Sequence, residues 1–157
     1  MNKKTQETIF SSKSSEWETP QHLFDKLDTQ YEFTLDPCCT KKTAKCKKYF
    51  TKRDNGLRKN WEGHTVFVNP PYGREVPKWV KKSYEESLKG DTTVVMLIPS
   101  RTDTRYWHDY CMKADELYFI KGRLKFGDAK NAAPFPSAVV VFGNKSRPPS
   151  INTMSNK

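Results

Sequence analysis

Thr92 to Ile98 reads TTVVMLI, an almost unbroken apolar run with no solvated face. A strand of that kind is buried on both sides, and sheets built from such strands run mainly parallel with helices on both faces. A second β-rich run, Thr65 to Val68 (TVFV), stops at Asn69-Pro70-Pro71. Between them, Glu75 to Lys89 carries Val76, Trp79, Val80, Tyr84 and Leu88 on one helical face, and Gly90 follows as a stop. Upstream, Thr19-Pro20 predicts a helix start, with Thr19 as N-cap, Pro20 at the first helical position, and Leu23, Phe24 and Leu27 following at helical spacing. Glu32 to Asp36 alternates polar and apolar and ends at Pro37, which predicts a short strand.

Downstream, Thr102 or Asp103 caps a predicted helix reaching Lys113. Leu117 to Ile120, Leu124 to Phe126 and Ala138 to Phe142 are strand candidates, the last two resembling a hairpin with a long connection. Strands alternating with helices, then strands closing the chain, predict an α/β domain with a mainly parallel sheet and an antiparallel C-terminal hairpin. Ligands bind such sheets at the carboxyl ends of the strands. Asp36, Asn69 and Ser100-Arg101 fall at those ends.

A chain of 157 residues fits one domain. Residues 1–15 read as a flexible leader, 16–143 as the folded unit, and 144–157, poor in apolar residues, as a disordered tail. No apolar run approaches the roughly 20 residues needed to cross a bilayer. Met1 to Ser15 lacks the apolar core of a signal peptide, so an intracellular, cytoplasmic protein with no membrane partner is expected. Cys38, Cys39, Cys46 and Cys111 form no CxxC pair, and His22, His64 and His108 form no spaced set, so neither a disulfide framework nor a metal site is expected. The net charge of +10 favours a polyanionic partner, although a solubilising surface has the same composition.

Asn69-Pro70-Pro71-Tyr72 is the sharpest local signal. An amine on an aromatic ring is a poor nucleophile because its lone pair is delocalised. Two acceptors that take both of its hydrogens draw the nitrogen toward tetrahedral geometry and free the pair. The Asn69 side-chain oxygen and the Pro70 carbonyl suit that task. Consecutive prolines fix φ and remove N–H donors, which makes the corner stiff. Tyr72 offers a flat face for an extruded base, worth about 1–3 kcal/mol of stacking. The plain alternative is a strand-ending turn, since N-P dipeptides commonly start turns.

Several ordered blocks accompany that corner: Trp17-Glu18-Thr19-Pro20, Leu35-Asp36-Pro37, Asp54-Asn55-Gly56-Leu57 followed by Trp61, Leu97-Ile98-Pro99 with Arg101 to Thr104, Gly122 to Phe126, and Pro134-Phe135-Pro136-Ser137. On these, the chain resembles the phage-type DNA N6-adenine methyltransferase (Dam) family over Trp17 to Phe142. The resemblance implies an abbreviated Rossmann-like sheet of the class I methyltransferase type. It also implies transfer of a methyl group from S-adenosylmethionine to adenine N6 of DNA, with Asn69, Pro70, Pro71 and Tyr72 as the catalytic corner. Trp17, Thr19, Pro20, Asp36, Pro37, Asp54 and Asn69 would contact the cofactor. Asp36 would pair with its amine, and Asp54 with its adenine amino group. Arg101, Arg123, Lys125 and Phe135 would face DNA, supported by a basic stretch from Lys41 to Lys59.

Each residue has a structural alternative: Asp36 a turn residue, Asp54 an Asx-turn, Trp17 and Phe135 core packing. The chain departs from the common pattern in having no glycine in Cys38-Cys39-Thr40-Lys41, and few residues separate Asp36 from Asn69. The reaction needs no metal and no protein nucleophile, and a monomer is favoured. Two other readings stay open: the same fold acting on RNA adenine, cytosine N4 or a glutamine amide, and a non-catalytic nucleic-acid-binding protein.

Overall fold

The structure, a computed structural model, describes residues 17–145 and 148–157. The leader expected over 1–15 lies outside them. Seven strands form one sheet in the order β2-β1-β3-β4-β6-β5-β7. They are β1 (Leu35–Asp36), β2 (Lys48–Tyr49), β3 (Thr65–Val68), β4 (Thr93–Pro99), β5 (Glu116–Lys121), β6 (Ser137–Phe142) and β7 (Ser150–Ser155). All neighbouring pairs are parallel except β4–β6 and β5–β6. Only β6 is therefore reversed, and the carboxyl ends of β1, β3 and β4 share one rim. The expected α/β class and the mainly parallel sheet with an antiparallel finish are what the chain forms.

Helix α1 (Gln21–Tyr31) buries Leu23, Phe24 and Leu27, each worth about 1.5–3 kcal/mol when fully removed from water. Phe24 meets Phe67 of β3 at 5.1 Å between ring centres. The helix ends at Glu32, whose φ of 58° is left-handed. Helix α2 (Val76–Ser87) buries Val76, Trp79 and Val80, and Tyr84 packs edge-on against Phe142 of β6. Phe142 pairs with Val94, and Val94 with Val66. Phe67 points the opposite way by strand alternation, so α1 and α2 cover opposite faces. Leu88, expected on the buried face of α2, lies beyond its end and is 56% exposed.

Four further expectations are corrected. Thr19 does not cap α1: Pro20 holds the N-cap position with no side-chain cap. Thr104, rather than Thr102 or Asp103, caps helix α3 (Arg105–Asp109) by accepting from the Trp107 N–H. Leu124 to Phe126 is not a strand. Its alternation arises because Leu124 and Phe126 are buried from a loop while Lys125 between them is exposed, and the partner of β6 is β5, with Glu116 opposite Val141.

The tail is the fourth: Ser150–Ser155 pairs with β5 along its whole length. As an edge strand it needs little apolar content, and only Met154 is buried. Asn156 extends this closure, its carbonyl 2.7 Å from His22 Nε2 at the start of α1.

The stretch between Asp36 and Asn69 contains no α-helix, which is how two strands fit there. Gly56 locks that stretch in place, because a Cβ on it would stand 2.1 Å from the Pro37 carbonyl oxygen. The Gly56 carbonyl also accepts from the Trp61 indole N–H at 3.0 Å.

Candidate active site

Asn69 follows directly from β3, where Val68 is paired with Met96 at the centre of the sheet. Its amide nitrogen donates to the Trp17 carbonyl and to Thr19 Oγ1 at 2.9 Å. Its side-chain oxygen is buried and has no hydrogen-bond partner among the described residues. An unmet buried acceptor costs about 1–3 kcal/mol. Ser137, at the β6 end of this rim opposite Pro99, has a buried hydroxyl in the same state.

Tyr72 is 9% exposed and its hydroxyl donates to the Leu97 carbonyl at 3.3 Å. Burial, with Tyr106 a lesser cause, pushes its phenol well above the ordinary value, so it stays protonated. The Trp17 indole lies against the ring at 6.3 Å between centres and 21° between planes. Phe126 and Phe135 meet it edge-on at 5.8 and 5.4 Å, and meet Trp17 in the same way, each at 5.4 Å. The four rings form a box beside the Asn69 corner. Phe126 was not among the residues singled out from sequence; its signal was the apolar alternation that read as a strand. Arg101 sits over Phe135 at 5.9 Å from the ring centre, and Arg123 donates to the Ala133 carbonyl at 3.4 Å. Arg101, Arg123 and Lys125 are all exposed.

Asp36 is 3% exposed. One carboxylate oxygen accepts from the Lys45 N–H at 3.0 Å and the other from the Cys38 N–H at 3.3 Å. Burial raises its pKa to about 6, against the lowering effect of those N–H groups. The carboxylate therefore ties its own glycine-free loop together and keeps lone pairs to spare. Beside it, burial and the Asp36 charge raise the Cys46 thiol to about 12, and Cys39 is raised for the same reasons.

Asp54 is exposed and accepts from the Thr51 N–H and hydroxyl, and the Thr51 N–H is the main cause of its lowered pKa. That is a turn-capping geometry, on a loop held against Pro37 by Gly56. Lys45, within the basic stretch, is engaged with Gln21 at 2.8 Å and Glu18 at 3.8 Å.

The structure thus gathers Trp17, Thr19, Asn69, Tyr72 and Phe135, with Arg101 at the edge. Asp36 and Pro37 stand at the neighbouring strand end, and Asp54 lies on an exposed loop. Two open clefts, of about 400 and 250 Å³, lie at the opposite end of β4, around Leu88, Gly143 and Lys145. Among the described residues no helix is long and apolar enough to cross a membrane.

The mainly parallel α/β sheet is consistent with a methyltransferase-like fold. The chain belongs to the DNA N-6-adenine-methyltransferase (Dam) family, whose model matches residues 6–157. It is 30% identical over 139 residues to the DNA N-6-adenine-methyltransferase of Haemophilus phage HP1 (strain HP1c1), a match covering 83% of this chain and 79% of that protein. It is 27% identical over 110 residues to the DNA N-6-adenine-methyltransferase of Escherichia phage T1, covering 69% of this chain and 45% of that one.

Proposed function

We propose that this chain methylates adenine N6 in DNA with S-adenosylmethionine as donor, at the corner Asn69-Pro70-Pro71-Tyr72. The observation that carries the reading is the free, buried Asn69 side-chain oxygen beside an aromatic box. It has the polarity and setting for one hydrogen of a ring-bound amine. The Pro70 carbonyl takes the second. The two acceptors hold the amine's hydrogens while its lone pair attacks, one of those hydrogens leaves as a proton to solvent once the N–C bond has formed, and the protein's task is placement.

A flipped base needs the face of Tyr72. Trp17 covers that face, so its indole turns aside to admit the base, leaving its carbonyl on Asn69. Removing a base from the duplex costs a few kcal/mol, offset by stacking on Tyr72 and by the two hydrogen bonds. Arg101, Arg123 and Lys125, exposed around the box, suit phosphate contacts.

Bound S-adenosylmethionine supplies a methyl group already electrophilic on a sulfonium sulfur, which departs as a neutral thioether. Asp36, Pro37, Trp17 and Pro20 are the residues that would hold it, with Asp54 on its exposed loop. A buried carboxylate with a raised pKa fits a cationic ligand, because an ammonium placed beside it restores its charge.

The deciding experiment is incubation with labelled S-adenosylmethionine and unmethylated DNA, followed by nucleoside analysis. N6-methyladenine is the expected product. Label in cytosine, RNA or protein with none in DNA adenine would overturn the reading.

Asp36 also gives a pH dependence. Its folded value of about 6 lies above the ordinary 3.8, so the folded chain binds that proton more tightly than the unfolded one. This contribution to stability is complete below pH 3.8 and is lost as pH rises through 6. Cofactor binding should reverse the shift and expel the proton. Affinity for S-adenosylmethionine is therefore expected to weaken by up to about tenfold per pH unit below the free-state value. Calorimetry near pH 5.5 in buffers of different ionisation enthalpy should register proton release. Binding without proton release there would remove Asp36 from the cofactor site.

A further inference from the structure

We infer that Thr19 is a positioning residue for the transfer: with the Trp17 carbonyl, its hydroxyl locks the Asn69 amide so that the side-chain oxygen faces the incoming amine. The inference rests on the function proposed above and adds a group to it. A primary amide changes little in shape when its oxygen and nitrogen exchange places, yet one end only accepts and the other only donates. At Asn69 the wrong orientation would set two N–H groups against an amine that is itself presenting hydrogens, and nothing would draw on its lone pair. The corner therefore needs something to choose the orientation.

One contact chooses it and a second holds it. The Trp17 carbonyl can only accept, so it faces the amide nitrogen. The Thr19 hydroxyl takes the second hydrogen of that nitrogen at 2.9 Å. Both donors are then used, and the oxygen is left buried without a partner. Reversing the amide would bring oxygen against oxygen at Trp17, and the Thr19 hydroxyl can serve either end, so the Trp17 carbonyl sets the sense of the amide and Thr19 pins it there by taking the second hydrogen.

Thr19 is well placed to hold this orientation. It is 5% exposed and sits one residue before the Pro20 N-cap of α1, which has no side-chain cap. Its hydroxyl is thus not spent on the helix end, where sequence alone would have put it. The same short segment carries Trp17, whose indole covers Tyr72, so one strap touches both the acceptor and the stacking plate.

The test compares the whole chain with Thr19→Val, which keeps the shape and removes the acceptor, and Thr19→Ser, which keeps the hydroxyl. In Thr19→Val, kcat at saturating DNA and cofactor should fall at least about tenfold, with both KM values within about threefold of wild type. Thr19→Ser should recover kcat to within about threefold. Thr19→Ala takes the place of the valine variant if that variant does not fold. A second readout does not depend on activity: the side-chain amide protons of Asn69, assigned by their loss in Asn69→Asp. One of them should move upfield in Thr19→Val and stay in place in Thr19→Ser.

Unchanged kcat in Thr19→Val overturns the inference. So does a loss confined to cofactor KM, which would make Thr19 a cofactor contact. A loss that serine does not rescue, with the amide resonances unmoved, overturns it as well. If the wild-type chain methylates no DNA, the proposed function fails, and the amide resonances alone decide whether Thr19 holds Asn69.

Discussion

Asn69→Ala is expected to lower kcat for DNA methylation by about 100- to 1,000-fold, the scale seen when one preorganised polar group is removed from a reacting centre. Affinity for S-adenosylmethionine should stay within about threefold. The prediction follows from what the side chain does in the unliganded fold. Its nitrogen is satisfied by Trp17 and Thr19, and its oxygen is satisfied by nothing described. The amine's hydrogens become more acidic as its nitrogen gains positive charge during attack, so a hydrogen bond to this oxygen is stronger in the transition state than in ground-state binding. Calorimetry with cofactor and single-turnover methylation, run on the same preparation, separate the two effects. Full activity in the alanine variant, or cofactor binding lost in step with activity, would strip Asn69 of its acceptor role.

The parts of this fold that read directly from sequence are those fixed by burial. Thr65–Val68 and the Thr93–Pro99 strand sit at the middle of the sheet, where both faces must be apolar, and the residue pattern records this. Helix α2 announced itself through Val76, Trp79 and Val80. Elements at the margins were hidden. β2 is a two-residue strand, Lys48–Tyr49, inside a lysine-rich run, and β7 is held by backbone pairing to β5 rather than by apolar side chains. Backbone hydrogen bonds carry no signature in residue type, so a polar edge strand reads as a tail.

The site divides along the same line. Asn69 and Tyr72 were visible because a stiff corner after a buried strand needs particular residues. The Thr19 contact spans fifty residues of chain, and no local pattern encodes it. Asp54 shows the opposite case. Its Asp-Asn-Gly setting allowed a simple turn, and the carboxylate does cap Thr51. Gly56, two residues on, carries the closer constraint, because only a residue without a Cβ fits against the Pro37 carbonyl.

Tyr72→Ala should reduce kcat/KM for DNA by roughly 5- to 150-fold, the equivalent of the 1–3 kcal/mol that a stacked base loses with its aromatic partner. The same change truncates a buried ring that Trp17, Phe126 and Phe135 all touch. Removing a core aromatic costs about 3–5 kcal/mol of stability, so activity has to be read at a temperature where circular dichroism shows the variant folded. Tyr72→Phe separates the causes. It keeps the ring and gives up only the bond to the Leu97 carbonyl, worth about 1 kcal/mol, and its kcat/KM should stay within about threefold of wild type. The base signal comes from 2-aminopurine placed at the methylated position, whose fluorescence rises when it leaves the stack. If Tyr72 is the plate that receives the base after Trp17 turns aside, both the wild-type and phenylalanine proteins hold the probe stacked and partly quenched. The alanine protein leaves it bright or fails to extrude it. An alanine variant that loses cofactor and DNA affinity equally would mean that the ring only fills the core, and Trp17 would then be packing rather than covering a base site.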